Sequence, residues 1–414
     1  MRTLFVLVLF FINSYAYCYP PLQLFIEMTP SGGTLKPPSG KYSGPVIIKK
    51  PIVIEGQGKV ELIGDGQGTV ITIKADKTII RGLHITHSGT SHDSVDAGIS
   101  IEADDCVLEN NKLDNVLFGI QLKQANGNIV KNNTISSLDR DISIRGDGIR
   151  MWYSHENRIE NNRMNKVRDF ASNNSSNNRI IGNIIRNSRI GMEFIYSNNN
   201  EVANNTISHN TTGIVLIYSN HLNIHDNQIS HVRKLTTGAG LSFKESAEVV
   251  VVNNTIAHCA IGLQANSPLD PRNRMIADGN LFAYNVLGMY FYGEKGGHII
   301  RNNRFENNFT DALGSGSMTI RDNIWEGNYW DNYRGFDQDK NGIGDAPHKV
   351  YLYSERIWGD TPKLKFFRGS PVMEMLDISL RLAPFNEPKL QYTDPSPRMQ
   401  QKTLQLTPIP RAIE

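Results

Sequence analysis

The chain has 414 residues, with 43 basic against 41 acidic and a formal charge of +2. That balance, with no basic run interleaved by aromatics, excludes a strong electrostatic field aimed at nucleic acid or an anionic membrane surface. Asn and Gly are abundant and aromatics make up only 8%, a composition for many tight turns rather than packed helices.

The chain opens with Arg2 ahead of an apolar run, Leu4 to Ile12, followed by small residues Ser14 and Ala16. This pattern predicts an export signal over 1–16, cut after Ala16. The run is too short for a bilayer, and no later apolar stretch approaches the ~20 residues a crossing needs. The mature chain is therefore expected to be exported and soluble. Cys18 follows the cut, but Tyr17 before it matches a lipid-anchor site poorly. Residues 17–50 read as an N-terminal cap.

From 51 to 326 the chain repeats itself. One position is occupied by Leu83, then by Asn111, Asn133, Asn162, Asn183, Asn205, Asn227, Asn254, Asn280, Asn303 and Asn323. An apolar residue stands two places after each of these Asn residues, from Leu113 to Trp325. A second marker is Gly followed by an apolar residue, as at Gly119-Ile120, Gly191-Met192, Gly213-Ile214 and Gly262-Leu263. The interval from Gly to the next Asn is the same in Gly119 to Asn133, Gly148 to Asn162, Gly191 to Asn205, Gly213 to Asn227 and Gly240 to Asn254. Apolar runs between the markers are short and alternate as strands do. A period of about 22 residues with these features predicts an all-β fold, a right-handed parallel β-helix, with a capping segment and a C-terminal helix. Stacked rungs lie ~4.8 Å apart, so the Asn side chains are expected to form a ladder at a left-handed corner. The Asn-x-Thr triplets follow from the repeat and need not be glycosylation sites.

Three rungs carry extra residues at one place, before Gly98, Gly148 and Gly240. Insertions at one point of a solenoid rung project from one edge and often build a binding face. They contain His87, His92, Asp93 and Asp96, then Asp139, Arg140, Asp141, Arg145 and Asp147, then His231, Arg233 and Lys234.

Four residues after the ladder position stand His209, His231 and His258, in consecutive rungs. The spacing predicts a histidine column at rung pitch. Imidazole suits copper or zinc, so these three are the candidate copper ligands. The competing reading is a polar column satisfied by water and backbone. Cys106 and Cys259 lie six rungs apart, ~29 Å, too far for a disulfide, and read as buried thiols. Met164, Met192 and Met289 fall on core positions.

The pattern changes after Trp325. Residues 327–369 read as a capping loop region. Within it Asp337, Asp339, Asn341 and Gly342 match the opening of a calcium loop, with Asp345 as a further oxygen donor. The place of the terminal Glu holds His348, so this is no EF-hand. An alternative is a turn-rich cap held by Asx bonds and by Tyr329, Trp330 and Tyr333. Ser370, Pro371 and Glu374 predict the start of an amphipathic helix over 370–384, with Met373, Leu376, Leu380 and Ala383 on one face. Residues 385–414 read as a Pro-rich flexible tail.

The export signal, the Asn-ladder repeat, the cap GNYWDNY…DQDKNGIGD and the helix SPVMEMLDISLRLAPF resemble the NosD family, over nearly the whole chain. The repeats alone are shared with many carbohydrate-active β-helices; the cap and helix together are more specific. The resemblance implies a periplasmic, non-catalytic accessory protein of nitrous oxide reductase maturation. Its implied partners are an ABC-type membrane permease, that permease's ATPase, the reductase and a lipoprotein copper chaperone, with membrane contact only through the permease. Copper-sulfur cluster assembly is the implied process. The second function class is a polysaccharide lyase, hydrolase or epimerase. Its acid-base site would draw on Asp139, Asp141 and Asp147 with Arg145 and Arg150.

Overall fold

The computed structural model describes residues 19–232, 238–266, 274–293, 295–315, 317–352, 375, 379 and 389–399. They wind into a parallel β-solenoid. A rung lays down three short strands, for example Glu201–Ala203, Thr206–Ser208 and Thr212–Ile217. Successive rungs pair in parallel and in register. Val202 lies beside Ile224, Ile207 beside Ile229, and Ile214 beside Leu241. The third face carries twelve strands, from Val46–Ile48 to Thr310–Gly314.

The strands are short because left-handed residues interrupt them. In the rung above these are Asn204, His209, Tyr218 and His221, with φ of 55, 60, 49 and 56°. That region is costly for most side chains and is enriched in Gly, Asn, Asp and His, which accounts for the Asn-rich composition. Between corners the alternating residues point inward, and Val202, Ile207, Ile214 and Leu216 are all fully buried. Each such burial contributes about 1.5–3 kcal/mol.

The Asn ladder is continuous from Asn111 to Asn328. Asn205 shows its chemistry. Its Oδ1 accepts from Asn183 N at 2.8 Å and Asn183 Nδ2 at 3.1 Å, while its own Nδ2 donates to Ile180 O and to Asn227 Oδ1, both at 2.9 Å. Two expectations need correction. The left-handed residue is the one before the ladder (Asn204, Asp226, Asn253), not the ladder Asn. The turn residue keeps its own side chain exposed and swings the next one into the wall. Also, the rung after Asn303 contributes Asn328 rather than Asn323. Asn323 accepts from His298 N at 3.0 Å in a neighbouring column, because Trp325 belongs to the first face and Trp330 to the second.

The glycine marker also has a steric cause. A Cβ at Gly119, Gly213 or Gly262 would overlap the carbonyl oxygen of the glycine one rung on, Gly148, Gly240 or Gly288.

Each end is closed by a separate segment. Helix Leu22–Met28 lays Leu22 and Ile26 on the first rungs. Rung pairing already begins inside 17–50, with Thr34–Leu35 on Val53–Ile54. At the other end Lys389–Asp394 pairs antiparallel with His348–Leu352 and stacks Tyr392 on Trp325 at 4.4 Å. The sequence predicts a mobile tail there; strand pairing and the burial of Tyr392 fix it instead. The predicted signal, Arg233, Lys234, most of the predicted helix over 370–384 and everything past 399 lie outside the described residues. Met375 and Ser379 are described and are helical. No helix among the described residues is long and apolar enough to cross a membrane.

Candidate functional site

His209, His231 and His258 stand at one left-handed corner, with φ of 60, 56 and 55°. His tolerates that backbone better than most residues, which is a structural reason for its presence. Their rings stack with centroids 4.8 and 4.9 Å apart, and Tyr284 extends the stack at 5.2 Å. The sequence places Tyr284 in this column, but its part in the stack follows only from ring orientation. Asn187 and Asn307 hold the same corner on flanking rungs.

Imidazoles suit copper in kind, but the stack sets a condition. The first two rings are within 3° of parallel, so their in-plane nitrogen lone pairs run side by side instead of converging. Each ring can offer one bond, and sharing an ion between neighbours requires one ring to turn. Among the described residues no group of three or more His, Cys, Asp or Glu is gathered to hold a metal ion.

The loop at 337–345 turns its carboxylates inward on itself. Asp337 accepts from Asn341 N at 3.1 Å and Gly342 N at 2.9 Å, Asp339 from Asn341 Nδ2 at 2.8 Å, and Asp345 from Gln338 N at 2.6 Å. Asx bonds of this kind explain the D-x-D-x-N-G spelling without an ion. The loop is tied to the C-terminal segment through Gly344 N to Pro397 O at 2.7 Å.

The acidic residues of the second insertion are not gathered. Asp141 accepts from Ser143 N and Oγ at 2.9 and 2.6 Å, capping a short 3-10 turn. Asp147 is fully buried, bound by Arg168 at 2.9 Å and Arg150 at 3.2 Å. Burial pushes its carboxyl above the usual range. Beside it Asp169 binds Arg168 and Arg189. This ion cluster spans rungs that the sequence does not visibly connect.

Cys106 and Cys259 are buried and unpaired with each other, and burial pushes their thiols up to about 11 and about 12. They are inert at neutral pH.

Two further histidines are structural. His298 replaces a wall Asn; its Nδ1 accepts from Met275 N at 3.0 Å, so Nε2 carries the proton and donates to Asn266 O at 3.0 Å. His348 stacks on Trp330 at 4.9 Å. Burial depresses both pKa values to about 4. Above pH ~6.5 both rings are neutral folded or unfolded. Between ~6.5 and ~4 the unfolded chain takes up protons that the fold refuses, so stability falls with falling pH. The loss approaches on the order of 3 kcal/mol per ring. The melting temperature should drop across that window, and less so in His298→Asn, which restores the commoner wall residue. A flat profile in the parent chain would contradict the burial argument.

Residues 137–335 match the NosD family model, described as "Periplasmic copper-binding protein". A Pseudomonas aeruginosa protein named "Probable ABC transporter binding protein NosD" is 30% identical over 393 residues, 87% of each chain. A Stutzerimonas stutzeri protein of the same name is 29% identical over 392 residues, 86% of this chain and 85% of that one. Among solved structures, the A-module of the Azotobacter vinelandii mannuronan C-5 epimerase AlgE6 superposes with a TM-score of 0.53 at 13% identity, covering 70% of this chain and 90% of that one. The periplasmic alginate epimerase AlgG gives 0.50 at 16%, covering 68% and 84%. At these identities the likeness to the epimerases shows the fold alone.

Proposed function

The chain belongs to the NosD family, and on that premise we propose that it is a periplasmic copper-handling scaffold working with an ABC-type permease and its ATPase. Its role is in copper-sulfur cluster assembly of nitrous oxide reductase, without catalysis of its own. The partner reading is supported by the name of the relatives, which describes them as ABC transporter binding proteins. Copper handling is supported by the family description and by one feature of this chain, three imidazoles on consecutive rungs.

Copper is cargo in this reading. Each ring of the column binds an ion through one nitrogen, and the turn of a single ring brings a second nitrogen to it. A weak, repeated contact of this kind suits transfer better than storage. ATP hydrolysis across the membrane would bias the scaffold only if the permease grips it differently in two states. The chaperone and the reductase would meet the same exposed corner in turn.

Coexpression with the permease and ATPase tests the partner half. The mature chain should retain the permease through detergent extraction, and nucleotide should change the yield. No retention under any nucleotide condition would contradict it.

A further inference from the structure

The first two insertions meet over the third face. His92 Nε2 donates to Ile144 O at 3.0 Å, and its ring packs edge-on against Phe118 at 5.6 Å. Val95 and Leu138, one from each insertion, cover a small apolar cluster of Ala97, Leu117 and Phe118. The insertions thus form a wall, and at its foot lies an open groove of about 300 Å³.

The floor of this groove is polar. Thr72, Ser100 and Gln121 occupy one outward row on adjacent strands. Ser100 and Gln121 are 4% and 9% exposed, yet none of the three side chains has a hydrogen-bond partner among the described residues. The polar atoms of Ser100 and Gln121 are not among the buried side-chain atoms left without a partner, so the exposed part of each residue includes its polar end. All three line the groove, where polar ends with no bond inside the protein are open to a ligand.

One side of the groove is aromatic. Trp152 is 39% exposed, and Tyr153 packs on it edge-on at 5.2 Å and 73°. Tyr153 sits at φ 48°, at a corner that the following rungs fill with Asn174, Tyr196 and Tyr218 at 49, 50 and 49°. A bulky residue in that backbone region costs on the order of 1–3 kcal/mol. No burial offsets that cost, because Tyr153 is 46% exposed. At this rung the corner tyrosine braces one edge of the Trp152 indole.

Charge in the groove is balanced. Lys123 pairs with Glu102 at 3.8 Å, and Arg150 is held by Asp147 at 3.2 Å. A polyanion finds no surplus of positive charge here, and a nucleic acid no basic stripe.

We propose that this groove binds a neutral linear saccharide. The apolar C–H face of a sugar ring would lie on the Trp152 indole, whose π face is negative. The hydroxyls would pair with Gln121, Ser100 and Thr72, as convergent polar groups do in a small-molecule site. No bond of the saccharide is broken in this proposal. It stands apart from the copper reading, which uses a different corner.

The test is a titration of the mature full chain with chitohexaose and with cellohexaose, followed by calorimetry and indole fluorescence. Mannuronate hexamer and an oligodeoxythymidylate serve as acidic probes. At least one neutral hexamer should bind saturably, and Trp152→Ala and Gln121→Leu should each weaken it at least tenfold. Tyr153→Asn should raise the melting temperature while weakening binding severalfold, a combination that a merely structural tyrosine would not give. Three results would overturn the proposal: no saturable binding of either neutral hexamer, binding unchanged in Trp152→Ala, or tighter binding of an acidic probe.

Discussion

Asp394→Ala is expected to cost about 3–5 kcal/mol of stability, among the largest effects of any single substitution in this chain. The ladder is a chain of amides in which each Oδ1 accepts from the rung before it. Such a chain needs an acceptor after its last member. Asp394 supplies it from a strand far along the sequence. Its Oδ2 accepts from Asn328 N at 3.0 Å, Asn328 Nδ2 at 2.9 Å and Trp330 Nε1 at 3.1 Å, and its Oδ1 from Gly327 N and Ser396 N, both at 3.1 Å. The carboxylate is fully buried. Removing it strands several buried donors at once and frees the strand that covers Trp325 and Trp330. The expected signature is a lower urea midpoint with new tryptophan exposure. Asp394→Asn should be milder, since its oxygen can still accept from Asn328. An unchanged midpoint in Asp394→Ala would mean that water closes the ladder equally well.

Gly213→Ala should be comparably severe, about 3–5 kcal/mol, for a different reason. The added methyl would occupy the space of the Gly240 carbonyl oxygen and press on Ile229 Cγ2. Gly213 has no left-handed backbone to protect, so the cost is contact alone. The carbonyl belongs to the next rung and is held there by strand pairing, Ile214 beside Leu241 and Val215 beside Ser242. The strand cannot yield without breaking rung stacking on both sides. Denaturation followed by far-UV circular dichroism reads this directly. A midpoint within error of the parent would show that the rung spacing is softer than the geometry implies.

The solenoid was legible because its constraints repeat. An inward Asn must recur at each rung to continue the ladder, and a Gly must recur wherever the neighbouring backbone crowds the Cβ site. Both leave a fixed interval in the chain. What failed to show is what does not repeat. In Asn204-Asn205 the sequence does not say which Asn turns the backbone and which enters the wall. Asn323 and Asn328 each precede a Trp by two residues, and only strand pairing separates them. Asp394 lies beyond a long aperiodic stretch, so nothing in its surroundings marks it as the ladder's end. The histidine column was legible as positions. The parallel stacking of its rings was not, because it depends on side-chain rotation, and rotation decides whether an ion meets one nitrogen or two.

The measurement that bears most directly on the copper reading is a Cu(I) titration of the mature chain against a variant carrying His209→Asn, His231→Asn and His258→Asn. Asn suits the left-handed corner, as Asn187 and Asn307 show on the same column, so the variant should keep its fold. The parent chain should bind Cu(I), and the variant should lose at least tenfold in affinity. Equal affinity in the two chains, or no binding by either, would contradict the copper reading and leave the histidines as corner residues of the solenoid.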